Sequence, residues 1–138
     1  MSAEHNLAVT RRDVIEAWNR GNLDVYDESL ADGYVSHDPG FGGDTYGRAA
    51  VKERVRSFRA AAPDLEVTLD DVIAEADKVV TRWRVEGTHE GPLAGIPPTG
   101  RRVSITGITI DAFADGRIVE SWSHWDTAGL MRQLQHQE

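Results

Sequence analysis

The spacing of apolar residues changes once along this 138-residue chain, at Leu65, and that change constrains the fold more than any motif. Before it, apolar residues recur three and four apart. Leu7, Val14, Ile15 and Trp18 form one stripe, with Arg11, Arg12, Asp13 and Glu16 opposite. This spacing predicts an amphipathic helix of about three turns, ended by Gly21. A short second helix is expected over residues 23–30, with Leu23, Tyr26 and Leu30 inward. A third is expected over residues 48–61 on Val51, Val55, Phe58 and Ala62, stopped at Pro63-Asp64. Between the last two, Tyr34, Val35 and Ser36 read as a brief extended piece. Residues 37–47, with one proline and four glycines, read as a loop.

After Leu65 the period is two. Leu65, Val67 and Leu69 alternate with polar residues, and Val79, Thr81, Trp83 and Val85 alternate with Arg82, Arg84 and Glu86. Such alternation predicts strands, joined by a tight turn at Ala76-Asp77-Lys78. A third long strand is expected over residues 103–113. Its apolar residues pass from Val103 and Ile105 to Ile108 and Ile110, and Gly107 at the change predicts a bulge. Asp115-Gly116 is a hairpin turn leading to a last strand over residues 118–125. A short helix follows Asp126. Helices first and hairpin-linked strands afterwards define an α+β class. The expected form is a cone: one curved antiparallel sheet wrapped around three N-terminal helices, its open end a ligand pocket.

The length suits one domain, residues 1–138, with its core over residues 7–134. Cysteine is absent, which removes disulfides, thiolate metal sites and cysteine nucleophiles. A net charge of −8 argues against nucleic acid and against an anionic membrane surface, since both need a concentrated basic face. No apolar run approaches a membrane span and the start has no signal-peptide core, so a cytoplasmic location is expected. The five histidines show no metal-ligand spacing, so no metal is expected; His5 and His136 fall in expected tails.

Several motifs carry a resemblance. Trp18-Asn19-Arg20-Gly21-Asn22-Leu23 and the stretch from Tyr34 to Pro39 resemble the start of the nuclear-transport-factor-2-like (cystatin-like) superfamily. Gly87-Thr88-His89-Glu90-Gly91 and Gly95-Ile96-Pro97-Pro98-Thr99-Gly100 resemble its SnoaL-like branch. So do Asp115-Gly116-Arg117-Ile118-Val119-Glu120-Ser121-Trp122, Asp126, Gly129-Leu130 and Gln133-Leu134. That branch includes ester cyclases that perform aldol closures in aromatic polyketide biosynthesis. The resemblance implies the cone fold, usually dimeric or tetrameric, and a pocket for a small apolar, carbonyl-bearing molecule of polyketide or steroid type; a homodimer through the outer sheet face is the expected assembly, since arginine with tryptophan there suits a subunit interface. It implies acid/base cyclase or isomerase chemistry with no cofactor. A non-catalytic small-molecule binder on the same fold is the alternative.

Such chemistry needs a base beside an acidic C–H and donors for the enolate oxygen. In the family's cyclases an aspartate on the last strand and a histidine on the strand before it move the proton. Aligned through the hairpin, those places hold Ser123 and Thr109, and neither hydroxyl can do the same at neutral pH. Asp38, before Pro39, resembles the base aspartate of ketosteroid isomerases, whose oxyanion-hole places hold Val14 and Thr109 here. His37 and His89 are imidazole candidates, with loop anchoring the competing role for each. Asp126 is a further acid whose competing role is a helix N-cap. The expected catalytic set is therefore Asp38, His37, Asp126 and His89. Trp18, Tyr34, Phe58, Trp83, Thr109, Ser121, Ser123 and Trp125 are expected to meet the ligand. Arg82, Arg84, Trp122 and His124 are expected on the outer face. Limonene-type epoxide hydrolases share the fold and use an Asp-Arg-Asp array to position water, but Arg82 and Arg84 are expected on the outer face of their strand, which ranks this reading third.

Overall fold

The structure, a computed structural model, describes residues 2–40 and 42–135. Helix α1 spans Ala3–Asp13 and continues as a π-helical segment, Val14–Asn19. Then follow α2 (Val25–Ser29), β1 (Leu30–Asp38), β2 (Gly43–Tyr46) and α3 (Gly47–Ala61). Four long strands come next: β3 (Glu66–Glu75), β4 (Lys78–Thr88), β5 (Arg102–Ala114) and β6 (Arg117–Trp125). Helix α4 (Thr127–Gln135) closes the chain. Ser2 caps α1 by accepting the His5 N–H, so His5 lies in a helix rather than a tail. His136 lies outside the described residues.

The six strands form one curved, unclosed sheet in the order β2-β1-β6-β5-β4-β3. Four of its five pairings are antiparallel. The fifth, β1 with β6, is parallel, with Ser36 opposite Ser121 and His37 opposite Trp122. Parallel neighbours need a long crossover, and α3 with four strands supplies it. The brief extended piece at Tyr34 is thus a nine-residue strand. Much of the expected loop is a hairpin in which His37 pairs with Asp44.

The helices pack on the concave side, α1 against β3 and β4, and α3 against β1. The main core cluster gathers Ala17, Leu23, Tyr26, Leu30, Val55 and Phe113. A second cluster joins Val103 and Ile105 of β5 to Leu130 and Leu134 of α4. Among the described residues no helix is long and apolar enough to cross a membrane.

Two local patterns differ from the sequence expectation, and for one reason. On α1 the buried positions are Asn6, Thr10 and Asp13, whereas Ile15 in the adjoining π segment is 46 % exposed. On β5 the parity never changes. Val103, Ile105, Gly107, Thr109, Asp111 and Phe113 all alternate inward, and Ile108 faces out at 48 % exposure. The register with β4 runs unbroken through Gly107; the irregularity lies at Ala112/Phe113, against β6. Gly107 answers a close approach instead. A Cβ there would lie 2.4 Å from Trp83 Cζ2 and 2.6 Å from Trp125 Cβ. Both elements turn polar residues inward because they border a cavity.

Candidate active site

Between the helices and the concave face lies a cavity of about 230 Å³. Its walls are mainly apolar, built by residues such as Val51, Leu65, Val85 and Ile105. The expected ligand contacts all border it: Trp18 and Phe58 from the helical layer, Tyr34 from β1, Trp83 from β4, Thr109 from β5, and Ser121, Ser123 and Trp125 from β6. Trp18 and Phe58 lie 5.7 Å apart between ring centroids.

Asp38 and His37 are separated by the pleat of β1. Successive side chains point to opposite faces, so Tyr34, Ser36 and Asp38 border the cavity and His37 does not. Asp38 is 2 % exposed. Its Oδ2 takes the Arg54 guanidinium and its Oδ1 accepts the Trp125 indole N–H at 2.9 Å. An arginine partner favours the ionised carboxylate. His37 stacks on Trp122 on the outer face, with Nδ1 2.8 Å from Asp44 and Nε2 2.6 Å from Glu120. The hydrogen bonds of Glu120 and then Asp44 raise its pKa above the ordinary histidine value. The expectation that His37 carries a proton in the pocket is corrected by this placement.

His89 and Asp126 also part company. Asp126 is exposed, accepts the Gly129 N–H at 2.8 Å as the N-cap of α4, and does not border the cavity. His89 does border it and is 1 % exposed. Its backbone is clipped to Arg101 and Gly100, and the next two N–H groups bond the Ala61 carbonyl at the end of α3. Gly91 permits this approach, since a Cβ would stand 2.5 Å from the Ala60 oxygen. The Thr99 N–H donates to His89 Nδ1 at 3.2 Å, and the Thr99 hydroxyl lies 3.0 Å from the same atom. That hydroxyl accepts from the Arg101 N–H, so its own proton is free for the ring. Nδ1 is therefore an acceptor and the ring proton sits on Nε2.

Thr109 and Ser123 pair across β5 and β6 with hydroxyls 2.9 Å apart, and Thr109 accepts the Trp83 indole N–H at 2.9 Å. The two hydroxyls and the indole satisfy one another.

The cavity residues that sequence reasoning missed include Arg54, Asp13 and Asp111. Arg54 stands one turn from Val51 and Phe58, so a cation inside the apolar stripe of α3 was the available signal. Asp111 accepts Ser121 Oγ at 2.7 Å and Thr10 Oγ1 at 3.0 Å. Asp13 accepts Ser29 Oγ at 2.8 Å. Burial raises Asp111 and pushes Asp13 up to about 7; the charge of Asp111 adds to the second shift and Ser29 opposes it. Burial also lifts the neighbouring phenol of Tyr34 to about 12.

Buried polar atoms are nearly always paired. Among the described residues three that border this cavity have no partner: Arg54 Nε, His89 Nε2 and Asp13 Oδ1. Two donors and one carboxyl oxygen are thus buried without partners on residues that line one mainly apolar space.

Comparison with known proteins gives a consistent answer. Residues 8–134 match the SnoaL-like polyketide cyclase family. The aklanonic acid methyl ester cyclase of Streptomyces peucetius is 30 % identical over 128 residues, 89 % of this chain and 86 % of that one. The nogalonic acid methyl ester cyclase of Streptomyces nogalater is 32 % identical over 123 residues, 88 % of this chain and 91 % of that one. Among solved structures, TsrD from Streptomyces laurentii superposes with a TM-score of 0.86 at 30 % identity, covering 98 % of both chains.

Proposed function

The chain belongs to the SnoaL-like polyketide cyclase family, and on that footing we propose that its cavity binds a small carbonyl-bearing, polyketide-like molecule and closes a ring in it by acid/base chemistry. The observation that carries this reading is the buried Asp38 carboxylate beside Arg54, a residue of the same cavity wall whose Nε–H is buried without a partner. Asp38 takes a proton from the carbon next to a ligand carbonyl. Arg54 Nε–H faces the oxygen on which the enolate charge collects, in surroundings where such a donor is worth most. The enolate carbon then attacks a second carbonyl of the same molecule, forming one C–C bond. The resulting alkoxide takes the proton back from Asp38, so the product is an isomer of the substrate. His89 Nε2–H offers a second donor, far along the sheet from Asp38, that orients the ligand. The apolar walls exclude water from the enolate.

Aklanonic acid methyl ester and nogalonic acid methyl ester are the compounds to assay, since the relatives' names specify them. Asp38→Asn keeps the shape and the Trp125 hydrogen bond but cannot take a proton. Ring closure by the native protein and a loss of at least 100-fold in the variant are expected; an unchanged rate would remove Asp38 from the chemistry.

A second reading is favoured by one observation. Thr109 and Ser123 stand where the family's proton carriers belong, and they bond to each other. On that reading the protein binds its ligand without turnover, seen as tight binding of the same esters with no product. The outer sheet face, with Ile108 exposed near Trp122, serves as the homodimer surface of a cytoplasmic protein; light scattering at twice the 15.2 kDa monomer mass is the expected result.

A further inference from the structure

We propose that Asp13 is a neutral carboxylic acid that donates its Oδ1–H to a carbonyl oxygen of an uncharged ligand, with Asp111 as the ionised member of the pair. The inference rests on the pocket reading above and adds a residue that determines which ligands fit.

Asp13 and Asp111 are 6 % and 9 % exposed and border the cavity from α1 and β5. Among the described residues neither has an ion-pair partner. Arg12 reaches Glu28 on the surface, and Arg54, from α3, is taken by Asp38. The remaining groups around the pair are the phenols of Tyr26 and Tyr34 and the hydroxyls of Thr10, Ser29 and Ser121. The charge of Arg12 lowers the Asp13 pKa but is outweighed by burial, and two neighbouring carboxyl groups with no ion-pair partner cannot both ionise in such a place. Hydrogen bonding decides which keeps the proton. Both oxygens of Asp111 accept a hydroxyl, which favours its carboxylate. Asp13 accepts one hydroxyl, at Oδ2, and its Oδ1 is buried with no partner. The proton belongs on that oxygen, a buried and unmet donor on a residue of the cavity wall.

The consequence is selectivity by charge. A ketone, quinone or ester oxygen can meet the Asp13 O–H. A carboxylate at the same place meets the Asp111 charge with no cation to offset it. This end of the cavity therefore admits an ester and rejects the corresponding free acid. The pH dependence follows: binding of a neutral carbonyl weakens as Asp13 loses its proton near pH 7.

The test uses 2-acetonaphthone and its carboxylate analogue 2-naphthoate, followed by quenching of the cavity tryptophans, with carboxyl carbon NMR of the ligand-free protein alongside. The native protein should bind the ketone at least tenfold more tightly than the carboxylate at pH 6. Its ketone affinity should fall at least tenfold by pH 8.5, and the Asp13 carboxyl should titrate near 7. Asp13→Asn should hold a constant ketone affinity over that range. Ser29→Ala, which leaves Asp13 in place but removes its one donor, should move the midpoint upward. An Asp13 carboxyl already ionised at pH 5.5 overturns the inference, as does native pH dependence surviving in Asp13→Asn. Equal affinity for ketone and carboxylate overturns it while leaving the pocket reading intact. Absence of any ketone binding, with Asp13 still titrating near 7, removes the pocket reading and this inference together.

Discussion

Thr109 on β5 and Ser123 on β6 stand directly opposite each other, their hydroxyls 2.9 Å apart, and the Trp83 indole donates to Thr109 from the neighbouring strand. Three strands are thereby tied across the concave face by side chains alone. Thr109→Val keeps the shape but leaves the Trp83 indole N–H without its acceptor and the Ser123 hydroxyl without its partner. A loss of about 1–3 kcal/mol is expected in urea unfolding, with Thr109→Ser near native.

Asp126 holds the first turn of α4, and α4 carries Leu130 and Leu134 into the second core cluster. Asp126→Ala should cost about 0.5–2 kcal/mol. Ligand affinity should be unchanged, because Asp126 does not border the cavity. A fall in affinity larger than the fall in stability would place Asp126 in the site.

The raised pKa of His37, caused first by Glu120 and then by Asp44, has a definite sign. The folded state holds this proton more tightly than the unfolded chain. The stabilisation is thus complete below pH 6.5 and disappears as pH rises through the raised value. His37→Gln should therefore be less stable than native at pH 6 and equal to it at high pH. Ring closure or ligand binding should be untouched at both, since His37 lies on the outer face.

Asp13 works in a different window. Its pKa rises from 3.8 to about 7 on folding, so the native state binds more protons than the unfolded chain between those values. Stability falls as pH climbs from about 4 to about 7 and is level above, a change on the order of 4 kcal/mol. Asp13→Asn removes that slope. Its unfolding midpoint relative to the native protein should rise steadily across this range, and a parallel pair of curves would contradict the burial argument.

The architecture was legible in the sequence because most apolar residues obey their periods. Val51, Val55 and Phe58 mark α3, and Val79, Thr81 and Trp83 mark β4 as they stand. The cavity wall was legible where a motif pointed at it, as with Asp38 and His89. It was illegible where the reading assumed that the inward face is the apolar one. A helical stripe through Ile15 puts Asp13 on the opposite face, and a β5 parity read from Ile108 and Ile110 leaves Asp111 outside. Cavity walls reverse that assumption: polar groups turn inward towards a guest, and isoleucines are left on the surface. The parallel pairing of β1 with β6 was hidden for another reason, since no local spacing encodes which distant strand a short extended segment will join.

That parallel pairing has a consequence for biosynthesis. Asp38 and the indole that bonds it are 87 residues apart, a gap the ribosome crosses in roughly 4–17 s at about 5–20 residues per second. Throughout that interval the nascent β1–β2 hairpin has one edge without its eventual neighbour, the kind of edge on which chains stick to one another. Asp38 is made early and enclosed last.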